Sequence, residues 1–240
     1  MKKHIPNFIT SLNVFFGSIA VIAVVNNKPV VAATCVGIAL LADFLDGFTA
    51  RLLKVSSPIG KELDSLADML TFGLVPGLVM ARLMQESLGE RFPPSGFYPA
   101  WWMVGLLIPV FSALRLAKFN LDTRQSDAFY GLPTPANTLW IFSAWLAVSF
   151  APEGLFAQSL QNPFVVGALC VVGSIVLVMD VRLIALKFSS TSWEANRFRY
   201  FLIIGGIILG IVLTFQAPPF IILLYICLSL IQNRFFHSPT

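Results

Sequence analysis

Apolar residues run through this chain of 240 residues in blocks long enough to cross a bilayer, not in the alternation of a strand or the single stripe of a soluble helix. About 20 such residues span roughly 30 Å of hydrocarbon. Segments of that kind fall at 7–25, 29–53, 62–84, 99–119, 133–150, 163–181, 199–216 and 218–234. NNKP at 26–29, PPSG at 93–96, GLPTP at 131–135, QNP at 161–163 and APP at 217–219 supply the residues that end or start helices. The pattern predicts an all-α, polytopic membrane bundle of about eight transmembrane helices in a single membrane domain, residues 1–240. Pro76 is expected to kink the third span, with Gly73 and Gly77 letting neighbouring helices come close.

Composition supports the same class. Hydrophobic residues make up 57% and charged residues 12%, where soluble domains carry about 25% charged. Cys35, Cys170 and Cys227 are an odd number in apolar runs without CxxC spacing, so neither a disulfide framework nor a zinc site is expected. His4 and His237 sit at the two ends without acidic or cysteine neighbours. The basic start, MKKH, is not followed by the short apolar core and cleavage site of a signal peptide, so it reads as the head of the first span.

An even number of spans puts both termini on one side. Of the 16 Lys and Arg residues only Lys28, Arg82 and Arg91 fall on the other, which makes the terminal side cytoplasmic. That asymmetry accounts for the net charge of +4 without nucleic acid.

Within this apolar frame stands one acidic stretch, DFLDGFTARLLKVSSPIGKELDSLAD at 43–68. On a helix Asp43, Asp46, Gly47 and Ala50 share one face, and so do Gly60, Asp64 and Asp68. Helical rise places Asp43 about 20 Å from the outer face, at inner head-group depth. Four carboxylates there would repel one another without a cation between them, and hard oxygen ligands suit Mg²⁺, Mn²⁺ or Ca²⁺. Capping at a helix boundary would explain the aspartates alone, but not two glycines and an alanine on the same faces. Intramembrane carboxylates also occur in ion or proton transporters. Those usually need a polar path reaching both faces, whereas here the acidic residues collect at one depth.

Filled by Asp43, Asp46, Gly47, Ala50, Arg51, Gly60, Asp64 and Asp68, the pattern D-x2-DG-x2-AR-x8-G-x3-D-x3-D resembles the signature of the CDP-alcohol phosphotransferase family. IPNFITSLN at 5–13, LDSLADMLTFGLVPG at 63–77, RLAKFN at 115–120 and FYGLPTPAN at 129–137 resemble its phosphatidylserine synthase branch. Thr71 and Lys118 depart from the serine and arginine common there, and Lys lacks the planar fork that binds anions bidentately. The last three spans carry no motif of this kind.

The resemblance implies a six-helix catalytic core at 1–181, a C-terminal helical pair at 182–240 and a homodimer in a bacterial cytoplasmic membrane. It implies CDP-diacylglycerol and L-serine as substrates, with glycerol 3-phosphate or inositol as alternative acceptors. By the same resemblance Asp43, Asp46, Asp64 and Asp68 would bind two Mg²⁺ or Mn²⁺ ions, and Asp68 would act as general base. Gly47, Ala50 and Gly60 would make room for the nucleotide, and Arg51 would meet the diphosphate. Asn7 and Thr10 could meet cytidine or ribose, or simply cap a helix. Arg115, Lys118 and Asn120 could receive serine, or anchor the chain at the interface.

Overall fold

The computed structural model describes residues 4–55, 57–92, 100–121, 129–184 and 193–236, and they form an all-α bundle with two very short strands. Lys2, Lys3, Arg124, Lys187, His237 and the PPSG turn lie outside those residues.

The first two helices, α1 (His4–Val25) and α2 (Pro29–Leu52), form an antiparallel hairpin. Asn27 turns the chain in the left-handed region at φ 53°, which asparagine tolerates better than most residues. Pro29 then opens α2, where its missing N–H costs nothing. Buried positions recur three and four apart on both: Thr10, Asn13, Gly17 and Ala20 on α1, Ala32, Cys35, Ala39, Ala42 and Asp46 on α2. Such small side chains let two backbones approach closely in a membrane. At the open end of that seam the Thr10 hydroxyl donates to Asp46 Oδ2 at 2.5 Å.

The third span is one helical run of 30 residues, Pro58–Ser87. It comprises α3 (Pro58–Asp68), a π-helical turn over Met69–Leu74 and α4 (Val75–Ser87). Instead of a simple kink at Pro76, the winding widens in the turn before it. Pro76 has no N–H for the carbonyl one turn back, that of Phe72. The Thr138 hydroxyl takes its place, donating to Phe72 O at 3.2 Å. The α4 helix is buried around most of its circumference and forms the centre of the bundle, with Val75, Val79 and Met80 fully enclosed.

The next run begins as a 3₁₀ turn at Trp101–Leu106 and continues as α5 (Leu107–Leu121). It lies antiparallel to α4: a Cβ on Gly77 would meet Pro109 Cδ at 2.5 Å, and one on Gly73 would meet Ser112 Cβ at 3.1 Å. After the two-residue strand β1 (Phe129–Tyr130) come α6 (Thr134–Phe150), the short α7 (Leu155–Ser159) and α8 (Pro163–Val178). The second strand, β2 (Arg182–Leu183), pairs antiparallel with β1, Phe129 opposite Leu183. This pairing and α7 are absent from the apolar pattern because neither needs an apolar run. Finally α9 (Trp193–Leu213) and α10 (Ala217–Phe236) fold back on each other through Thr214 at φ 50°. A Cβ on Gly205 would lie 2.6 Å from Leu224 Cδ2 across that hairpin.

Each of the eight apolar segments therefore contains helix. Length and apolarity alone mark five described runs as able to cross a membrane, the last of them, Asn196–Arg234, containing the α9–α10 turn. The outer surface carries exposed Phe8, Phe15, Ile22, Leu41, Phe164 and Ile211, as a lipid-facing surface does.

One assigned charge changes character. Arg82 is not a loose basic residue: it is 5% exposed, donates to Glu86 Oε1 at 2.7 Å and to Val24 O at 2.8 Å, and lies over the Trp145 ring. It is a buried clamp joining α1, α4 and α6.

Helix contacts this close make a specific demand at Gly105. A Cβ there would stand 2.7 Å from Ala81 Cα and 2.9 Å from Gly77 O, both backbone atoms that cannot yield by changing rotamer. Gly105→Ala is expected to cost about 1–3 kcal/mol, as overpacking does. Thermal unfolding in detergent should show the lower midpoint, and an unchanged one would disprove the tight contact.

Candidate active site

The site begins with how α2 and α3 are placed. The chain leaves α2 at Leu52, turns through Lys54 at φ 52°, and re-enters helix at Ser57 and Pro58. The Ser57 hydroxyl accepts from the Gly60 amide at 3.0 Å, capping α3. The short connection brings the acidic ends of the two helices side by side.

One carboxylate oxygen from each of Asp43, Asp64 and Asp68 lies within 4.8 Å of the other two. The fourth aspartate, Asp46, is buried beside α1 and held by Thr10. Asp68 Oδ1 is enclosed and has no hydrogen-bond partner. Among the described residues no lysine or arginine forms an ion pair with any of the four. Three converging carboxylates with a buried, unsatisfied acceptor fit a divalent cation with oxygen ligands, because a hard cation satisfies several carboxylates at once.

Beside the cluster is a cleft of about 270 Å³. It is lined by Asp46, Gly47 and Ala50 from α2, Gly60 and Asp64 from α3, and Asn7 and Thr10 from α1. Residues separated by more than fifty positions thus share one cavity. The two glycines serve it differently. A Cβ on Gly47 would meet nothing within 4 Å and would point into open space. At Gly60 it would stand 2.9 Å from both Asn7 Oδ1 and Ser57 Oγ, so this glycine lets α1 reach the start of α3.

Arg51 is exposed at the end of α2 and does not line the cleft. Arg115, on α5, is 8% exposed, with an unpartnered Nε. Lys118 is exposed one turn further on. Asn120 is occupied: its Nδ2 donates to Ser65 Oγ at 2.8 Å and its carbonyl accepts from Lys61 Nζ at 2.9 Å. The structure thus brings Arg115 to the carboxylate side, while Asn120 fastens α5 to α3.

Pro6, Val55, Ser57 and Lys61 also line the cleft and were not singled out by sequence. For Ser57 a signal existed, since Ser-Pro before an amphipathic run is a helix start. Lys61 offered none, because its place at the rim depends on the α3–α5 contact.

Comparison with known proteins bears on the same residues. The sequence model of the CDP-alcohol phosphatidyltransferase family matches residues 3–179. The chain is 30% identical over 195 residues to a CDP-diacylglycerol–serine O-phosphatidyltransferase of Helicobacter pylori (strain J99), covering 80% of this chain and 76% of that protein. It is 33% identical over 164 residues to the protein of the same name from Mycobacterium leprae, covering 65% of this chain and 48% of the relative, about half its length. A Bacillus subtilis protein, again so named, is 31% identical over 133 residues, covering 55% of this chain and 70% of its own. The matched stretch takes in every residue of the carboxylate cluster and of the cleft beside it. The chain belongs to the CDP-alcohol phosphatidyltransferase family.

Proposed function

We propose that the protein transfers the phosphatidyl group of CDP-diacylglycerol to L-serine, forming phosphatidylserine and CMP at the cytoplasmic face of the membrane. The observation that carries this reading is the convergence of Asp43, Asp64 and Asp68 beside a cleft kept open by Gly47. The names of the relatives support serine as acceptor. The excess of Lys and Arg on the terminal side of the chain supports the cytoplasmic orientation.

In this reading Asp43, Asp46, Asp64 and Asp68 hold divalent cations, Mg²⁺ or Mn²⁺. When bound, these neutralise the diphosphate and stabilise the charge that develops on phosphoryl transfer. The cytidine end enters the cleft, with Gly47 and Ala50 presenting little bulk and Asn7 and Thr10 offering polar contacts. The lipid phosphate then lies at the carboxylates, and its tails remain in the bilayer. Arg51, exposed at the end of α2, is available to the diphosphate from outside the cleft.

Asp68 Oδ1, enclosed and unpartnered, accepts the proton of the serine hydroxyl. The serine oxygen bonds to the phosphorus that carries the diacylglycerol. The bond from that phosphorus to the bridging oxygen breaks, and CMP leaves with the electron pair. Residues 1–181 form the catalytic core, the C-terminal pair at 182–240 flanks it, and the protein works as a homodimer.

The acceptor assay decides the substrate. In detergent micelles with Mn²⁺, CDP-diacylglycerol is expected to release CMP with L-serine but not with glycerol 3-phosphate or inositol, and chelation by EDTA should abolish it. Preference for another acceptor would reject serine while leaving the donor chemistry standing. Asp68→Asn should lower turnover by a factor of about 10² or more, the usual worth of a general base, while CDP-lipid binding persists. Turnover unchanged would remove Asp68 from that role. Gly47→Ala should raise KM for CDP-diacylglycerol without lowering the unfolding midpoint, because Gly47 lines the cleft and a methyl group there meets no atom within 4 Å. An unchanged KM would show that the nucleotide binds elsewhere.

A further inference from the structure

Apart from the residues that line the cleft, the bundle encloses a second set of polar atoms. Helix levels can be read from its contacts. Gly77 faces Pro109 and Gly73 faces Ser112, so Arg115, about one turn further along α5, lies level with the end of α3 at Asp68. Thr138 of α6 bonds to Phe72 O, and Trp145 of α6 meets Arg82, so α6 runs parallel to α4. Thr134, one turn before Thr138, therefore lies level with Asp68 as well.

Ser112 of α5 meets Gly73 and Thr138 of α6 meets Phe72, so the two helices approach the same turn from different sides. Ile108 Cδ1 and Asn137 Oδ1 stand 3.6 Å and 3.5 Å from the same point above Gly173 of α8. Four side chains here are more than nine-tenths buried: Ser112, Thr134 and Asn137 are 0% exposed and Arg115 is 8% exposed. Each leaves an enclosed polar atom without a partner: Ser112 Oγ, Thr134 Oγ1, Asn137 Nδ2 and Arg115 Nε. Buried polar groups are normally satisfied, because each orphan costs about 1–3 kcal/mol. Asn137 Nδ2 and Arg115 Nε can only donate, and the two hydroxyls can donate too. A donor-rich, enclosed set holding one guanidinium suits a small carboxylate. Near the same level Asp68 Oδ1 offers an orphaned acceptor, toward which a hydroxyl of the same ligand can point.

We propose that Thr134 and Asn137, in the first turn of α6, join Arg115 in binding the carboxylate of the amino-acid acceptor and so select it. The proposal rests on the reading of L-serine as acceptor and deepens it. It gives the FYGLPTPAN segment a task in the first turn of α6, and it adds to Arg115 two residues more deeply buried than Lys118.

The test measures CMP release by purified protein in micelles with Mn²⁺, varying each substrate in turn. Thr134→Val should raise KM for L-serine about tenfold or more, the worth of one buried hydrogen bond, while KM for CDP-diacylglycerol stays within about twofold. Thr134→Ser, which restores the hydroxyl, should return KM to its original value. Asn137→Asp keeps the oxygen that accepts from Trp140 Nε1 at 2.8 Å but sets a negative charge against the carboxylate, so it should act in the same direction. It also supplies the comparison if Thr134→Val unfolds. Serinol, which keeps the amine and hydroxyls but lacks the carboxylate, should be a poor acceptor for the unaltered protein. Normal serine turnover with an unmoved serine KM in both Thr134→Val and Asn137→Asp, or serinol used as readily as serine, overturns this inference alone. Failure of the unaltered protein to release CMP with L-serine overturns the parent reading and the inference together.

Discussion

Carboxylates held close together in a buried site set the terms for everything around them. Asp43, Asp64 and Asp68 converge to within 4.8 Å across two helices. In a low-dielectric interior their repulsion is large, so the backbone must fix them where they would not otherwise stay. The α1–α2 seam of small residues, the capped start of α3 and the bond from Thr10 to Asp46 act together as that restraint. The repulsion is also what makes the cluster useful, since a cation or an incoming proton relieves it.

The rest of the bundle supports this arrangement from the other end. The Arg82 clamp ties the end of α1 to α4 and rests on Trp145 of α6. The helical run that carries Asp64 and Asp68 is thereby joined to α1 and α6 far from the site. Near it, Lys61 and Ser65 of α3 are fastened to Asn120 of α5. Two polar fastenings thus bracket an apolar core centred on Val75, Val79 and Met80.

Much of the site was legible in the sequence because helical spacing does the geometry. Asp43, Asp46, Gly47 and Ala50 share a face by arithmetic alone, and both glycines could be read as removed bulk. The distinction between them could not: whether a glycine faces empty space, as Gly47 does, or Asn7 across a helix contact, as Gly60 does, depends on a partner remote in sequence. Arg82 falls on the side of Lys28 in the charge count, but nothing local reveals that Val24 and Trp145 surround it. The bond from Asn120 to Ser65 depends on the approach of α3 to α5, which nothing local to Asn120 reveals. At Pro76 the proline's missing donor was evident, while the answering hydroxyl of Thr138 lies 62 positions away and so was not.

The π-helical turn over Met69–Leu74 has a bearing on how the long helix divides its labour. One extra residue in a turn shifts the angular phase of everything beyond it by about 100°. Residues 58–68 and 75–87 are thus one rod with two clocks. The polar half keeps its face toward the carboxylates of α2, and the apolar half keeps its own toward α5 and α6. Neither face has to compromise with the other, and a single span can be both a ligand-bearing wall and the axle of the bundle.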